Sequence, residues 1–386
     1  MVKKIGLLIL IFNLYSCTEK QLHLSHVEEI SLAEATYFPK NKQKTSDFDL
    51  HTFIHQKLQN ESTIQLKHMM VQCHAEYGCV VIMDVRTGEI HALVNLQESS
   101  IGEYKTEKNV AVNQYIDPGS FMKTFDVMAL LEDKKSTTAQ IYPSTGGKIT
   151  MSGLIIKDAK KGGFGVQTLG TALANSSNTI LAKAISSSYR KEPSKFISRL
   201  EHCFNLSDLE LPFKVNSKSY IPQVNSDDWC DITLAWLSIG YGLKLSPIQI
   251  LSYYNAIANN GQFVQPRFIA MIKNSNGAKK SYTLKPSHRK ICSKNTALKL
   301  KFYLRNALLK GNGQSFNSSK IALAGKTTLT SIYHYDTPLK YVSGFVGYFP
   351  HHKPKYSIIA LMGNVPSPTP NLAGEIARKI AESTLN

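Results

Sequence analysis

Two apolar hairpins near opposite ends of the chain constrain its fold more than any other feature. GCVVIMDVRTGEIHALVNL carries two β-rich halves around Arg86-Thr87-Gly88-Glu89, the pattern of a hairpin turn. Far downstream come three strand-like runs, Ile321 to Thr330, Tyr341 to Phe349 and Tyr356 to Met362, the last two joined by the turn PHHKPK. Between them the periodicity is mainly helical. A helix begins at or near Ser120, after the chain-breaking Asp117-Pro118-Gly119. LGTALANSSNTILAKAI reads as helix on both sides of Asn175–Asn178, and Pro247 to Ala258 is a helix ended by Asn-Asn-Gly. TALKLKFYLRNALLKG is a further amphipathic helix, and a last one closes the chain over Leu372 to Leu385. Upstream, Leu50, Phe53, Ile54, Leu58, Leu66, Met69 and Met70 predict a helix from about Asp47 to Ala75. Strands at both ends and helices between them predict one α+β domain over residues 47–386. Its antiparallel sheet is completed by both chain ends and flanked by helices, with a helical subdomain from the middle.

The N-terminus reads as a targeting segment. Lys3 and Lys4 precede a short apolar run from Ile5 to Leu14, followed by LYSC ending at Cys17. Such a run is too short to span a bilayer comfortably but fits the apolar region of a signal peptide. A Cys directly after a small residue resembles a bacterial lipobox. Residues 1–16 are therefore expected to be a lipoprotein-type signal peptide, with Cys17 lipidated and residues 17–46 a polar tether. Plain cleavage or an uncleaved anchor is the alternative. The formal charge of +17 has two readings, a dispersed lysine surface or affinity for an anionic polymer or membrane. No basic block and no nucleic-acid motif favours nucleic acid as a partner. Six cysteines at irregular spacing are not a disulfide framework. Neither C-x-x-C nor H-E-x-x-H occurs, so neither a metal nor another cofactor is expected.

Three short stretches carry candidate chemistry. Gly325-Lys326-Thr327 ends like a phosphate-binding loop, but the position five before Gly325 is Lys320, where that loop requires Gly. A serine acyltransferase fits better. Ser120-Phe121-Met122-Lys123 at a helix start puts a lysine one turn from a serine on the same face. The helix N-terminus favours developing negative charge. The lysine acts as a base once desolvation or nearby positive charge lowers its pKa, and Phe121, Met122 and Phe125 can help exclude water. Ser-x-x-Lys alone is weak: it recurs at Ser188 to Lys191 and Ser287 to Lys290, in polar surroundings that read as surface. Alone, Ser176-Ser177-Asn178 is an ordinary polar helix boundary. Lys326-Thr327-Thr328 alone is a polar edge strand. Their joint order and setting raise the specificity.

Taken together, DVRTGEIHAL, DPGSFMKT, SSNTILAKAI, SIGYGLKLSPIQILSYYNAIANNG, AGKTT, FVGYFPHHKPKYSIIALM and the closing helix resemble the transpeptidase domain of penicillin-binding proteins. The likeness is greatest to the class B, septal cell-division type and covers about Ala75 to Leu385. It implies that Ser120 is the acylated nucleophile and that Lys123 takes its proton. By the same likeness, Ser176 relays a proton to the leaving amine. Asn178 holds the substrate amide and steadies Lys123, and Lys326 polarises Ser176. Thr327 would bind the substrate carboxylate, the group that β-lactams mimic. The backbone N–H groups of Ser120 and Leu329 would form the oxyanion hole.

Two departures stand out. The family's third motif ends in Gly where this chain has Thr328. Thr328 shares a strand face with Lys326, so it is expected to press on that lysine and weaken the site. Class B members also usually carry a long pedestal and a membrane helix, where this chain offers a tether and an expected lipid. The resemblance implies an extracytoplasmic, membrane-anchored D,D-transpeptidase acting on peptidoglycan stem peptides, inhibited by β-lactams and working beside other cell-wall synthesis proteins. The alternatives are a catalytically impaired scaffold or binding protein and, third, a β-lactamase.

Overall fold

The computed structural model describes residues 42–44, 48–106, 108–204, 209, 211, 219–274, 277, 279–281, 288–332 and 339–385. The expected signal peptide, Cys17, most of the tether and Ser287 lie outside the described residues.

In chain order the strands β1 (Lys42–Lys44) and β2 (Phe48–Thr52) precede helix α1 (Gln56–Cys73) and the hairpin β3 (Tyr77–Asp84), β4 (Ile90–Ser100) with β5 (Glu103–Lys105). Next come α2 (Val110–Asn113), a 3-10 turn at Gly119–Phe121, and α3 (Met122–Glu132). The middle holds β6 (Ile141–Pro143), β7 (Lys148–Met151), β8 (Leu154–Lys157) and β9 (Val166–Thr168), then α4 (Leu169–Ala174), α5 (Asn178–Tyr189), α6 (Pro193–Phe204), α7 (Thr233–Ser238) and α8 (Pro247–Ala258). Strands β10 (Ile269–Asn274) and β11 (Lys279–Ser281) lead to α9 (Lys294–Leu309). The chain then runs through β12 (Ala324–Ile332), β13 (Lys340–Phe349) and β14 (Tyr356–Val365) to α10 (Leu372–Ser383).

The main sheet has the order β12-β13-β14-β3-β4-β5 and is antiparallel throughout. The C-terminal hairpin lies beside the N-terminal one through the pairing of β14 with β3, as the strand pattern predicts. Both faces of its centre are covered. Val80 and Ile82 of β3, with Ile358, Ala360 and Met362 of β14, join the core shared with Leu66 and Met70 of α1 and Ile376 and Ile380 of α10. Cys79, Val81, Met83, Ile359 and Leu361 point the other way, into the core built with Phe121, Phe125, Leu181 and Ile250 of the helical region. A strand buried on both faces has no polar side to alternate with, which is why VVIM and IIALM are unbroken apolar runs. Each of the buried Val, Leu, Ile, Phe and Met side chains contributes about 1.5–3 kcal/mol on burial.

The helix expected from Asp47 to Ala75 starts later. Phe48–Thr52 is β2, paired with β10, and the helix begins at Gln56. Leu50 and Thr52 are buried while Asp49 and His51 are less so, a two-residue period. The partner strand lies more than 200 residues away in sequence, so no local pattern announces it. Strand β1, within the segment read as tether, pairs with β2 in the same small sheet, whose order is β1-β2-β10-β11.

Candidate active site

The lead-in to Ser120 is held by a glycine-broken loop. Ile116 and Leu245 exchange both backbone bonds at 3.0 Å, and Lys244 Nζ lies 2.7 Å from an Asp117 carboxylate oxygen. Gly119 donates its N–H to the Gly240 carbonyl at 3.1 Å. Gly119 has φ +55° and Gly240 φ +81°, and a Cβ on Gly240 would sit 2.1 Å from the Gly119 oxygen. Only glycine allows that approach. It delivers Ser120 to the 3-10 turn that opens α3, half-buried at the surface.

Lys123 follows one turn later, almost wholly buried, with Phe121, Met122 and Phe125 buried around it. Its Nζ lies 2.9 Å from Ser120 Oγ, 2.8 Å from the Ser176 carbonyl oxygen, 3.0 Å from Ser176 Oγ and 2.5 Å from Asn178 Oδ1. An ammonium has three N–H donors for these four oxygens. A neutral amine also meets three at a time, two by donating and one by accepting a hydroxyl proton into its lone pair, as a base placed here must do. The pKa agrees: burial pulls Lys123 down to about 7, against the opposing pull of Asp158 and Asp126.

Ser176 occupies the left-handed region at φ +58°, a conformation uncommon outside glycine. The strained turn between α4 and α5 aims its Oγ at three groups: Ser120 Oγ at 3.0 Å, Lys123 Nζ at 3.0 Å and Lys326 Nζ at 2.9 Å. Lys326 reaches in from edge strand β12. Burial first, and the neighbouring Lys123 second, hold its pKa well below the ordinary lysine value. Thr327 is buried, and its hydroxyl accepts from Asn312 Nδ2 at 3.2 Å. Leu329 is partly exposed beyond it.

Thr328 differs from expectation. Lys326 is not pushed aside, as its bond to Ser176 shows. The Thr328 Oγ1 instead accepts the Ser120 backbone N–H at 3.0 Å and donates to the Pro118 carbonyl at 3.1 Å. Strand alternation puts Thr328 on the helix-facing side, as read from the sequence. The lead-in to Ser120 packs so closely on that side that the hydroxyl meets the Pro118–Ser120 backbone rather than the lysine.

Sequence reasoning missed Asp158. It follows β8, and its carboxylate accepts from the backbone N–H of Asn178 at 2.6 Å and of Thr179 at 3.0 Å, and from the hydroxyls of Ser177 and Thr179. A carboxylate on the first N–H groups of α5 satisfies donors that the helix cannot and so fixes the Ser176–Asn178 turn. Nothing local marks an Asp twenty residues earlier for this task. Asp126 was also missed, although an acid inside the apolar helix FMKTFDVMALL is a visible signal. It is fully buried, and neither oxygen has a hydrogen-bond partner among the described residues.

Of the other two Ser-x-x-Lys stretches, Ser188 is half-buried in the last turn of α5 and Lys191 is exposed. A cavity of about 630 Å³ is lined by Asp117, Lys244 and Thr330 among others and by none of the five clustered residues. Among the described residues no group of three or more His, Cys, Asp or Glu is placed to hold a metal, and no helix is long and apolar enough to cross a membrane.

This fold, with this constellation between a helix start and an edge strand, defines the class: a penicillin-binding-protein transpeptidase domain. The transpeptidase domain of penicillin-binding protein 3 from Burkholderia pseudomallei superposes with a TM-score of 0.71 at 22% identity, over 86% of this chain and 94% of that one. Penicillin-binding protein 3 from Mycobacterium tuberculosis gives 0.74 at 23% identity, over 87% and 80%. The chain belongs to the penicillin binding protein transpeptidase domain family, whose model matches residues 78–384. Among relatives, penicillin-binding protein PbpB of Mycobacterium tuberculosis is 26% identical over 73% of this chain and 41% of its own length. The peptidoglycan D,D-transpeptidase FtsI homolog of Mesostigma viride is 25% identical over 96% of this chain and 67% of its own. These names are those of the class B, septal type. The chain thus spans about two fifths of the mycobacterial relative and two thirds of the algal one.

Proposed function

We propose that the protein is a peptidoglycan D,D-transpeptidase working through an acyl-Ser120 intermediate. The observation that carries this reading is the buried Lys123 amine 2.9 Å from Ser120 Oγ, its pKa brought to about 7 by burial. A base is most useful when its pKa is near the working pH. Lys123 takes the Ser120 proton as Oγ attacks the penultimate carbonyl of a stem peptide ending in D-Ala-D-Ala. The C–N bond then breaks, and terminal D-Ala leaves with a proton from Ser176 Oγ, which Lys123 replaces. An amine on a neighbouring stem attacks the acyl ester. Its proton returns by the same route, and Ser120 leaves as the hydroxyl. Asn178 holds the substrate amide, Lys326 polarises Ser176, and Thr327 and the strand around Thr328 and Leu329 receive the substrate carboxylate and backbone. A β-lactam offers the same carbonyl and carboxylate. One solved relative, penicillin-binding protein 3 of Mycobacterium tuberculosis at 23% identity, is a complex with aztreonam.

The test is covalent labelling by a fluorescent penicillin. A long-lived adduct that disappears in Ser120→Ala and persists in Ser188→Ala supports the reading. A short-lived adduct points to a β-lactamase. The contact of Thr328 with the Ser120 N–H favours a second reading, a scaffold or binding protein of impaired activity, which absence of any adduct would establish.

Location is part of the proposal: an extracytoplasmic domain held to the membrane by lipid on Cys17, in reach of other cell-wall synthesis proteins. Cys17→Ser should stop incorporation of labelled fatty acid. A mature N-terminus mapped elsewhere than Cys17 removes the lipid from the account.

A further inference from the structure

A carbonyl attacked by Ser120 Oγ gathers negative charge on its oxygen, and the nearest fixed donor is the backbone N–H of Ser120 itself. That N–H opens a helical segment, so no intrahelical acceptor claims it, and the helix start makes it a favourable place for an anion. In this protein the position is taken. Thr328 Oγ1 accepts the Ser120 N–H at 3.0 Å, donates its own proton to the Pro118 carbonyl at 3.1 Å, and lies 3.2 Å from Thr330 Oγ1. With the Thr330 hydroxyl as donor, the single proton and both lone pairs of Thr328 are satisfied. The methyl branch is seated as well. Thr328 pairs across the sheet with Gly344, and a Cβ on Gly344 would come within 3.1 Å of the Thr328 methyl and 2.9 Å of the Phe121 ring. The bare glycine makes room for that methyl. With both branches occupied, a β-branched residue has one favourable χ1 and a defined way out of it.

We propose that Thr328 is an autoinhibitory latch, whose hydroxyl fills the place of the substrate's acyl oxygen on the Ser120 N–H, so that acylation requires Thr328 to turn away first. This rests on the acyl-serine reading above and adds to it a cause of slow acylation. Lys123, Ser176 and Lys326 are already assembled around Ser120, so the base and the proton relay are ready while the oxyanion donor is not. An acylating ligand must compete with a side chain fixed by three hydrogen-bonding neighbours. The cost of releasing the N–H slows every acylating ligand by the same factor, the fraction of molecules with Thr328 turned away.

The experiment pairs acylation kinetics with hydrogen exchange at the Ser120 amide, followed by NMR on serine-labelled full-length protein. The probe is a fluorescent penicillin, and the variants are Thr328→Ala, Thr328→Ser and Ser120→Ala. Thr328→Ala should acylate about tenfold faster than the parent, a barrier lower by about 1.4 kcal/mol, and should lose protection at the Ser120 amide. Thr328→Ser keeps the hydroxyl without the methyl that seats it and should fall between the two in both measurements. Thermal melts identify any variant that fails to fold, in which case the Ser variant carries the comparison. If Thr328→Ala acylates no faster than a parent that does label, the latch is overturned while the acyl-serine reading stands. If no form labels, the acyl-serine reading falls, and exchange alone decides the contact: unchanged protection in Thr328→Ala overturns it, and lost protection upholds it.

Discussion

Lys123 and Lys326 converge on one oxygen: their Nζ atoms lie 3.0 and 2.9 Å from Ser176 Oγ, and both side chains are almost wholly buried. Two ammonium groups cannot share that site without a large cost in desolvation and repulsion. Burial opposes a proton on each, and Lys123 lowers the proton affinity of Lys326 further, which leaves a neutral amine at the site.

The first prediction concerns pH. Lys123 has its pKa depressed to about 7, chiefly by burial. On the proposed acyl-serine reading the neutral amine is the base, so the second-order acylation rate should fall about tenfold per pH unit well below 7 and level off above it. The unfolded chain binds the Lys123 proton more tightly than the folded one between about pH 7 and the ordinary lysine value. Stability should therefore rise with pH across that window. Acylation that stays flat from pH 5 to 9 would remove Lys123 as the base.

Asp158 is a positioning residue for the Ser176–Asn178 turn. Asp158→Ala leaves the N–H groups of Asn178 and Thr179 without their acceptor, at about 1.5–3 kcal/mol for each hydrogen bond to a charged group. A displacement of Ser176 by ~1 Å would cost on the order of a hundredfold in rate. Melting temperature and penicillin acylation should fall together, and Asp158→Asn, which keeps the shape and one acceptor, should recover part of each.

Asp126 makes the opposite case. Burial raises its carboxyl pKa well above the ordinary value, with Lys123 opposing. The folded state then holds the proton to higher pH than the unfolded chain, so this group costs stability progressively as pH rises above the ordinary aspartate value. Asp126→Asn should melt higher at pH 7.5, by an amount that shrinks towards pH 4. Its acylation inflection should move below the parent's, because an acid that favours protonated Lys123 is gone. A variant that melts lower at neutral pH would mean that Asp126 has a stabilising partner.

Gly240 and Gly242 both have positive φ, but only Gly240 meets another backbone. Gly242→Ala should cost about 1 kcal/mol for the left-handed conformation alone. Gly240→Ala must also move Gly119, and with it Ser120, so acylation should drop at least tenfold more than in Gly242→Ala. Equal kinetic losses in the two variants would show that the Gly119–Gly240 contact does not position the nucleophile.

What the sequence determined by itself is everything set by near neighbours. The unbroken apolar runs of β3 and β14 mark strands covered on both faces. Ser246 and Pro247 open α8 with a capping box to Gln249, and Ser120 and Lys123 are one helical turn apart whatever surrounds them. Period and propensity act over a few residues, and there the reading holds. It failed at Phe48–Thr52, where the deciding contact is β10. It gave the side of the sheet on which Thr328 lies but not that its hydroxyl meets the Ser120 N–H. Tertiary structure alone decided that Ser176 takes a left-handed turn between two lysines, that Asp158 fixes that turn, and that Gly240 lies against Gly119. The physical reason is that hydrogen bonds between distant segments and the desolvation that shifts a pKa exist only once the chain has closed on itself. The residue types at a site can be read from the order of the letters, whereas their distances and protonation belong to the folded packing around them.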